Sequence, residues 1–126
     1  MLTTQGYLSR GNSFDTTLYG AKNSADIFRV YSNAAPLALY GGDKDDQFMV
    51  YAFKQDPSIG GGYVINAPVL VDGGKGLDTF TVLGSEDADD FSVTQEGIRG
   101  AGLNTSYQNI ERVNLDAREG NDYIYV

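Results

Sequence analysis

A five-residue pattern of apolar and polar positions recurs along the chain. Each copy reads Asp, any residue, Phe or Ile, any residue, Val, so its two apolar side chains stand two positions apart. Side chains with that spacing point to the same side of an extended backbone. The pattern therefore predicts short β-strands with one buried face, each beginning just after an aspartate. The copies begin at Asp26, Asp46, Asp78, Asp89 and Asp122.

The apolar positions of these copies are the predicted core, because β-branched and aromatic side chains suit a half-buried pleated surface. The expected buried residues are Phe28, Phe48, Phe80, Phe91 and Ile124, with Val30, Val50, Val82, Val93 and Val126 beside them.

Other apolar runs predict further strands, at 37–40, 63–65, 69–71 and 110–115. Nearly every run is followed closely by Gly, Asp or Asn, and the chain has 16 glycines, which favours many tight turns. The glycines within 97–108 predict a loop or turn there.

The repeats also suggest a larger duplication. The sequence separation between Asp15 and Asp78 is the same as that between Asp26 and Asp89. A solenoid stacks equivalent strands on one another, whereas a sandwich does not require the same strand sequence five times. We therefore predict a single all-β domain over residues 1–126, a parallel β-solenoid, with a β-sandwich as the alternative. The strand-like run at 122–126 leads us to expect a segment of a longer chain.

The charge balance restricts the partners. The net charge is −8, from 17 Asp and Glu against 9 Lys and Arg, and such a surface repels nucleic acid phosphates and anionic lipids. It suits divalent cations, which prefer carboxylate oxygens. The chain has no Cys and no His, so disulfides, the usual zinc ligands and His-dependent catalysis are excluded. No run approaches the roughly 20 apolar residues of a membrane span.

Glycine-rich or small-residue turns precede three of the repeats. The fullest reads Gly73-Gly74-Lys75-Gly76-Leu77-Asp78, and the others occupy 41–46 and 117–122. These turns resemble the nonapeptide of the repeats-in-toxin, or haemolysin-type, calcium-binding proteins. The turn at 41–46 has Lys44 in place of the third glycine, and no two turns are in tandem, unlike the family pattern. The region 71–126 is similar to the long, divergent repeats of large bacterial surface proteins.

The resemblance implies a parallel β-roll in which turn aspartates and turn carbonyls hold Ca²⁺. Carried over by position, the side-chain ligands are Asp46, Asp78 and Asp122, and the carbonyl ligands include Gly74 and Gly76. Asp43 and Asp45 crowd the same turn as Asp46, where like charges repel and a cation would relieve the repulsion. A second acidic cluster comprises Glu86, Asp87, Asp89 and Asp90. The alternative is structural, because an aspartate at a turn can accept backbone hydrogen bonds without any metal.

The function predicted from these features is a structural or adhesive repeat module, extracellular or at the cell surface, stabilised by Ca²⁺ and packed against neighbouring repeats. The alternatives are a carbohydrate-binding domain that uses the tyrosines, a self-assembling fibre or sheath subunit of identical chains, and a β-helical polysaccharide lyase or epimerase. We expect no enzymatic activity, because no Lys or Arg recurs beside an acidic cluster.

Overall fold

The computed structural model describes residues Met1–Val126, and it confirms the all-β prediction. It contains no α-helix and one short 3-10 turn, at Pro57–Ile59. The strands are β1 (Leu2–Thr3), β2 (Gly6–Tyr7), β3 (Thr16–Tyr19), β4 (Ile27–Val30), β5 (Leu37–Tyr40), β6 (Gln47–Tyr51), β7 (Val69–Asp72), β8 (Thr79–Leu83), β9 (Asp90–Val93), β10 (Gly97–Gly100), β11 (Leu103–Gln108), β12 (Arg112–Asp116) and β13 (Tyr123–Tyr125).

Two sheets carry the architecture. A seven-stranded mixed sheet has the order β13-β9-β10-β11-β7-β5-β3, and a four-stranded sheet has the order β12-β8-β6-β4. Every pairing in the four-stranded sheet is parallel. In the mixed sheet β3, β5, β7 and β11 are also parallel neighbours, and β10 is antiparallel to both of its neighbours. We call the four-stranded sheet the parallel sheet.

The chain alternates between the two sheets in four passes. Each pass consists of one strand of the mixed sheet, a turn, and one strand of the parallel sheet: β3 and β4, β5 and β6, β7 and β8, β11 and β12. Each pass lies beside the previous one in register, so that Phe28 pairs with Phe48 and Phe48 with Phe80. Equivalent residues are thus neighbours in space although they are far apart in sequence.

The predicted core register is correct in the middle of the stack. Phe48, Phe80, Val50 and Val82 have no exposed surface, and Phe91 is 1% exposed. Valines and leucines of the facing mixed sheet complete this core, including Val69, Val71 and Leu39. The alternating apolar positions therefore face inward from both sheets, as a strand period of two requires.

The prediction is wrong at the last repeat. Ile124 is 49% exposed and Val126 is fully exposed, because β13 is the edge strand of the mixed sheet. Phe28, in the first pass, is only half-buried although its ring stacks on that of Phe48 at 4.9 Å. A residue in the first pass or in the edge strand β13 has a neighbouring strand on one side only, so the same sequence pattern gives less burial there.

Two further expectations need correction. Residues 97–108, expected to form a loop, build the hairpin of β10 and β11 around a tight turn with Ala101 and Gly102 at positive φ. Residues 63–65 were expected to form a strand, but they make only an isolated bridge between Tyr63 and Lys54. They belong to the long connection between β6 and β7, which packs against the stack.

The predicted duplication does not describe the stacking. Asp26 lies beside Asp46, which is 20 residues away, and Asp46 lies beside Asp78 at a separation of 32 residues. Asp89 instead neighbours Asp122, 33 residues away, at a different turn. The unequal lengths of the connections conceal the true repeat in the sequence.

Candidate functional site

The acidic residues after the glycine turns form a ladder of hydrogen bonds along one corner of the stack. We define the first corner as the turns that lead from the mixed sheet to the parallel sheet, at 20–26, 41–46, 73–78 and 109–111. Here each acid accepts a backbone N–H from the pass before it. The bonds are Asp26 N–H to Asp46 Oδ1 at 2.8 Å, Asp46 N–H to Asp78 Oδ1 at 2.7 Å, and Asp78 N–H to Glu111 Oε2 at 2.8 Å.

A second corner repeats the arrangement in the last two passes. It comprises the turns that leave the parallel sheet at 84–89 and 117–122. The N–H of Asp89 donates to Asp122 Oδ1 at 2.8 Å, which matches the bonds of the first corner. Four acids therefore satisfy a backbone donor of the preceding pass, namely Asp46, Asp78, Glu111 and Asp122, whereas Asp26 and Asp89 stand at the start of the two ladders.

The turns differ in whether the second carboxylate oxygen of their aspartate has a hydrogen-bond partner. Asp26 Oδ2 accepts the N–H of Ala21 at 2.8 Å, and Asp89 Oδ2 accepts the N–H of Ser85 at 2.7 Å. Asp46 Oδ2 and Asp78 Oδ2 are buried and have no hydrogen-bond partner. The two central rungs of the first corner thus each contain one unsatisfied carboxylate oxygen, which is costly in a desolvated site.

The glycine that opens each turn leaves room for this ladder. A Cβ on Gly41 would lie 2.9 Å from the carbonyl oxygen of Gly73 and closer still to Asp46 Oδ2. A Cβ on Gly73 would lie 2.7 Å from Asp78 Oδ2 and would also collide with the carbonyl of Asn109. These glycines have no positive φ, so they are required for close approach between passes rather than for an unusual backbone conformation.

The electrostatics of the central rungs follow from this burial. Desolvation raises the pKa of Asp46 and of Asp78, and backbone hydrogen bonds oppose that rise. Neighbouring carboxylates raise both pKa values further, namely Asp26, Asp45 and Asp78 for Asp46, and Glu111 and Asp45 for Asp78. The one ion pair of the structure, Lys54 with Asp87 at 3.6 Å, lies elsewhere, so no carboxylate of the ladder forms a direct ion pair with a Lys or Arg.

The predicted calcium ligands divide between the two corners. Asp46 and Asp78 occupy adjacent rungs, and Asp45 Oδ1 accepts the N–H of Leu77 at 2.9 Å. Asp122 belongs to the second corner. Asp43 lies half-buried in the turn at 41–46, while Gly74 and Gly76 adopt the positive φ expected of their turn, 77° and 116°.

The donor set at the first corner meets part of what Ca²⁺ requires. The free Oδ2 atoms of Asp46 and Asp78 lie near carbonyl oxygens of the next pass, those of Gly73 and Asn109, and such oxygens are suitable ligands. However, no group of three or more acidic side chains converges on a single point, as a site with the usual six to eight oxygens would favour. The residues therefore supply at most a partial coordination shell, completed by carbonyls and water.

The second acidic cluster is organised around Asp89 alone. Asp89 is 1% exposed, whereas Glu86, Asp87 and Asp90 are exposed. Its Oδ1 accepts hydrogen bonds from the hydroxyls of Tyr63 at 2.5 Å and Ser85 at 2.7 Å. Burial and the nearby Asp89 carboxylate raise the pKa of the Tyr63 hydroxyl, which therefore remains a donor. Tyr63 thus ties the long β6–β7 connection to this corner.

Sequence reasoning missed a third ladder, made of asparagines. The side-chain amide of Asn33 donates to the carbonyl of Ala67 at 2.8 Å, and that of Asn12 donates to the carbonyl of Ala35 at 3.2 Å. Asn66 Oδ1 accepts from the N–H of Asn33 at 3.3 Å. The signal that was present is an Asn shortly before each of the first three mixed-sheet strands, at Asn12, Asn33 and Asn66.

The tyrosines do not form one surface. Tyr19 stacks on Tyr40 at 5.2 Å on the mixed sheet, and Tyr31 stacks on Tyr51 at 4.8 Å on the parallel sheet. Each pair joins equivalent positions of adjacent passes, so these contacts continue the strand register.

Comparison with known proteins adds no relative. No family model, curated protein or solved structure matches this chain. The structure has no helix of the length and apolarity needed to cross a bilayer. The features that bear on function are therefore the hydrogen bonds at the two corners and the stacking of the passes.

Proposed function

We propose that this chain is a structural repeat module, a short β-solenoid whose role is to form a rigid stack of passes. The observation that carries the proposal is the carboxylate ladder, in which Asp46 and Asp78 each bind the backbone of the preceding pass. The asparagine ladder and the paired tyrosines support it, because they also join equivalent positions of successive passes. All three features act between passes, and none leads to a reactive group.

Solution measurements can distinguish this solenoid from a sandwich. Nuclear Overhauser effects should connect Phe28 to Phe48 and Phe48 to Phe80, since these residues pair in adjacent parallel strands. The amide proton of Asp46 should exchange with solvent only through global unfolding, because the buried carboxylate of Asp78 accepts it, and the amide proton of Asp78 should be protected by its bond to Glu111. Fast exchange of both amides, or cross-peaks of an antiparallel core, would refute the stacked module.

Calcium is proposed as an additional stabiliser at the central rungs. Asp46 Oδ2 and Asp78 Oδ2 have no hydrogen-bond donor, and neither carboxylate forms an ion pair with a Lys or Arg, so a bound cation would satisfy both oxygens. A cation that binds only the folded state adds about 2.7 kcal/mol at a hundredfold excess over its Kd. Ca²⁺ should therefore raise the melting temperature by several degrees, and Mg²⁺ should raise it less because it demands tighter octahedral geometry.

The matched variants are Asp78→Asn and Asp90→Asn. The first removes the charge of a central rung, and the second removes an equal charge from an exposed position. Asp78→Asn should abolish the calcium response while Asp90→Asn retains it. Identical melting curves in excess Ca²⁺ and in chelator would eliminate the metal but would leave the hydrogen-bonded module intact. An extracellular or cell-surface location and an adhesive role accompany this proposal as predictions.

A further inference from the structure

The two ends of the stack are built differently. At the first pass, β3 is the last strand of the mixed sheet and β4 the last strand of the parallel sheet, so each has one unpaired backbone edge. At the final pass, β11 pairs on both sides, with β7 and with β10, so the open edges at that end are those of β12 and of β13, which lies beyond β10 and β9 and outside that pass. Open edges recruit further strands, and only at the first pass do the two open strands line one cavity.

The open end also exposes the apolar interior. A cavity of about 540 Å³ opens between β3 and β4, with Leu18, Phe28 and Leu39 in its wall. Leu18 is 44% exposed and Ile27 is 55% exposed at this end. In the middle of the stack the residues equivalent to Leu18 and Phe28, such as Leu39 and Phe48, are buried by their neighbours.

The final pass lacks the glycine that stacking requires. Gly41 and Gly73 are each followed by another pass whose carbonyl leaves no space for a Cβ. The corresponding position is Asn109 in the last turn of the first corner and Ala117 in that of the second. Each of these residues carries a Cβ where the earlier passes have glycine, which disfavours the addition of a second copy's first pass there in the same close geometry.

The order of the charges along the two open strands favours self-association. Asp15 precedes β3 and Lys22 follows it, while Asp26 precedes β4 and Arg29 lies within it. Each open strand therefore runs from negative to positive. Antiparallel pairing of a strand with its own copy sets the acidic start of one beside the basic end of the other, which favours that orientation.

We propose that the first pass is a two-fold interface that binds a second copy of this chain. A two-fold axis normal to both sheets pairs β3 with its copy and β4 with its copy, antiparallel in each case. This arrangement closes both open edges and joins the two apolar interiors. Because both partners use the same surface, this contact closes at two copies and does not propagate into a fibre.

Sedimentation equilibrium and light scattering test the interface in the intact chain. We expect a concentration-dependent change between the masses of one and two copies, in chelator as well as in calcium. Ile27→Lys, at the open end, should weaken association by at least about tenfold, since it brings a charge into the contact. Leu77→Lys changes an apolar residue of a central turn that is 69% exposed, and it should have no effect on association. A monomer at all concentrations, or equal loss with both variants, would overturn the proposal.

Cross-linking through introduced cysteines determines the relative orientation of the two copies. Because the chain has no native cysteine, only the introduced thiols can react. Thr17→Cys places a thiol on the outer face of β3, and Asn114→Cys places one on β12. With a short bis-maleimide, Thr17→Cys should form a covalent dimer, and Asn114→Cys should not. Cross-linking that appears only when the two variants are mixed would demonstrate head-to-tail stacking and refute the two-fold interface. Both variants must melt at the wild-type temperature, so that the cross-linking result comes from folded protein.

Discussion

The backbone N–H of Asp46 donates to Oδ1 of Asp78 at 2.7 Å, across 32 residues of sequence. The aspartate that ends one turn therefore fixes the backbone of the pass before it. The same bond recurs from Asp26 to Asp46 and from Asp89 to Asp122. The most regular feature of the sequence is thus explained by contacts between passes, whether or not a metal binds.

The first prediction concerns the ladder itself. Asp78→Ala removes the acceptor for the buried N–H of Asp46 and should lower the free energy of unfolding by about 1–3 kcal/mol. Asp78→Asn keeps an acceptor and offers its amide hydrogens to the Asn109 carbonyl, so it should cost much less. Urea denaturation in chelator measures both. Equal losses for the two variants would show that the negative charge, rather than the hydrogen bond, stabilises the turn.

The second prediction concerns the corner glycine. Gly73→Ala introduces a Cβ 2.7 Å from Asp78 Oδ2, and the overpacking should cost about 1–3 kcal/mol. Gly62→Ala is the matched control, because its Cβ would have no atom within 4 Å and its φ is not in the left-handed region. The control should be neutral or slightly stabilising. Thermal unfolding of the two proteins compares them, and tolerance of Gly73→Ala would contradict the close approach of the passes.

The third prediction contrasts the middle and the end of the stack. Phe80→Ala should lower the free energy of unfolding by about 3–5 kcal/mol, because Phe80 has no exposed surface. Ile124→Ala should lower it far less, since Ile124 is 49% exposed in an edge strand. Denaturant unfolding monitored by circular dichroism gives both values. Similar losses would mean that β13 is covered in solution.

The fourth prediction is a pH dependence. Burial raises the pKa of Asp46 and of Asp78 above the ordinary value of 3.8, so the folded state holds protons more tightly than the unfolded state. The stabilisation from proton uptake is complete below pH 3.8 and is lost as the pH rises through the folded pKa values.

Denaturant titrations at several pH values, in chelator, should show this loss in the wild type. The loss should be smaller in the double variant Asp46→Asn, Asp78→Asn, which has no carboxylates to titrate at these rungs. Asp72 contributes with the opposite sign, because desolvation raises its pKa but hydrogen bonds from Asn109, Gln108 and Gly74 together lower it further. The difference between wild type and variant cancels that contribution, and parallel curves would refute the prediction.

The sequence by itself determined the class of the fold and most of its core. Alternating Phe and Val after an aspartate predicts short strands with one buried face, and Phe48, Phe80 and Phe91 are buried as expected. The periodicity of a strand is local, so it can be read from five adjacent residues. The glycine and aspartate positions likewise located the turns.

Tertiary structure alone decided which repeats are neighbours. Connections of unequal length separate adjacent passes, so Asp26 stacks on Asp46 although the intervals in the sequence matched it with Asp89. Register between distant strands depends on how the intervening chain packs. The long β6–β7 connection and the β10–β11 hairpin contain the extra residues that make the intervals between passes unequal. For the same reason Asp122 lies at the second corner, away from Asp46 and Asp78. Ile124 is exposed because β13 is an edge strand with no further strand to cover it.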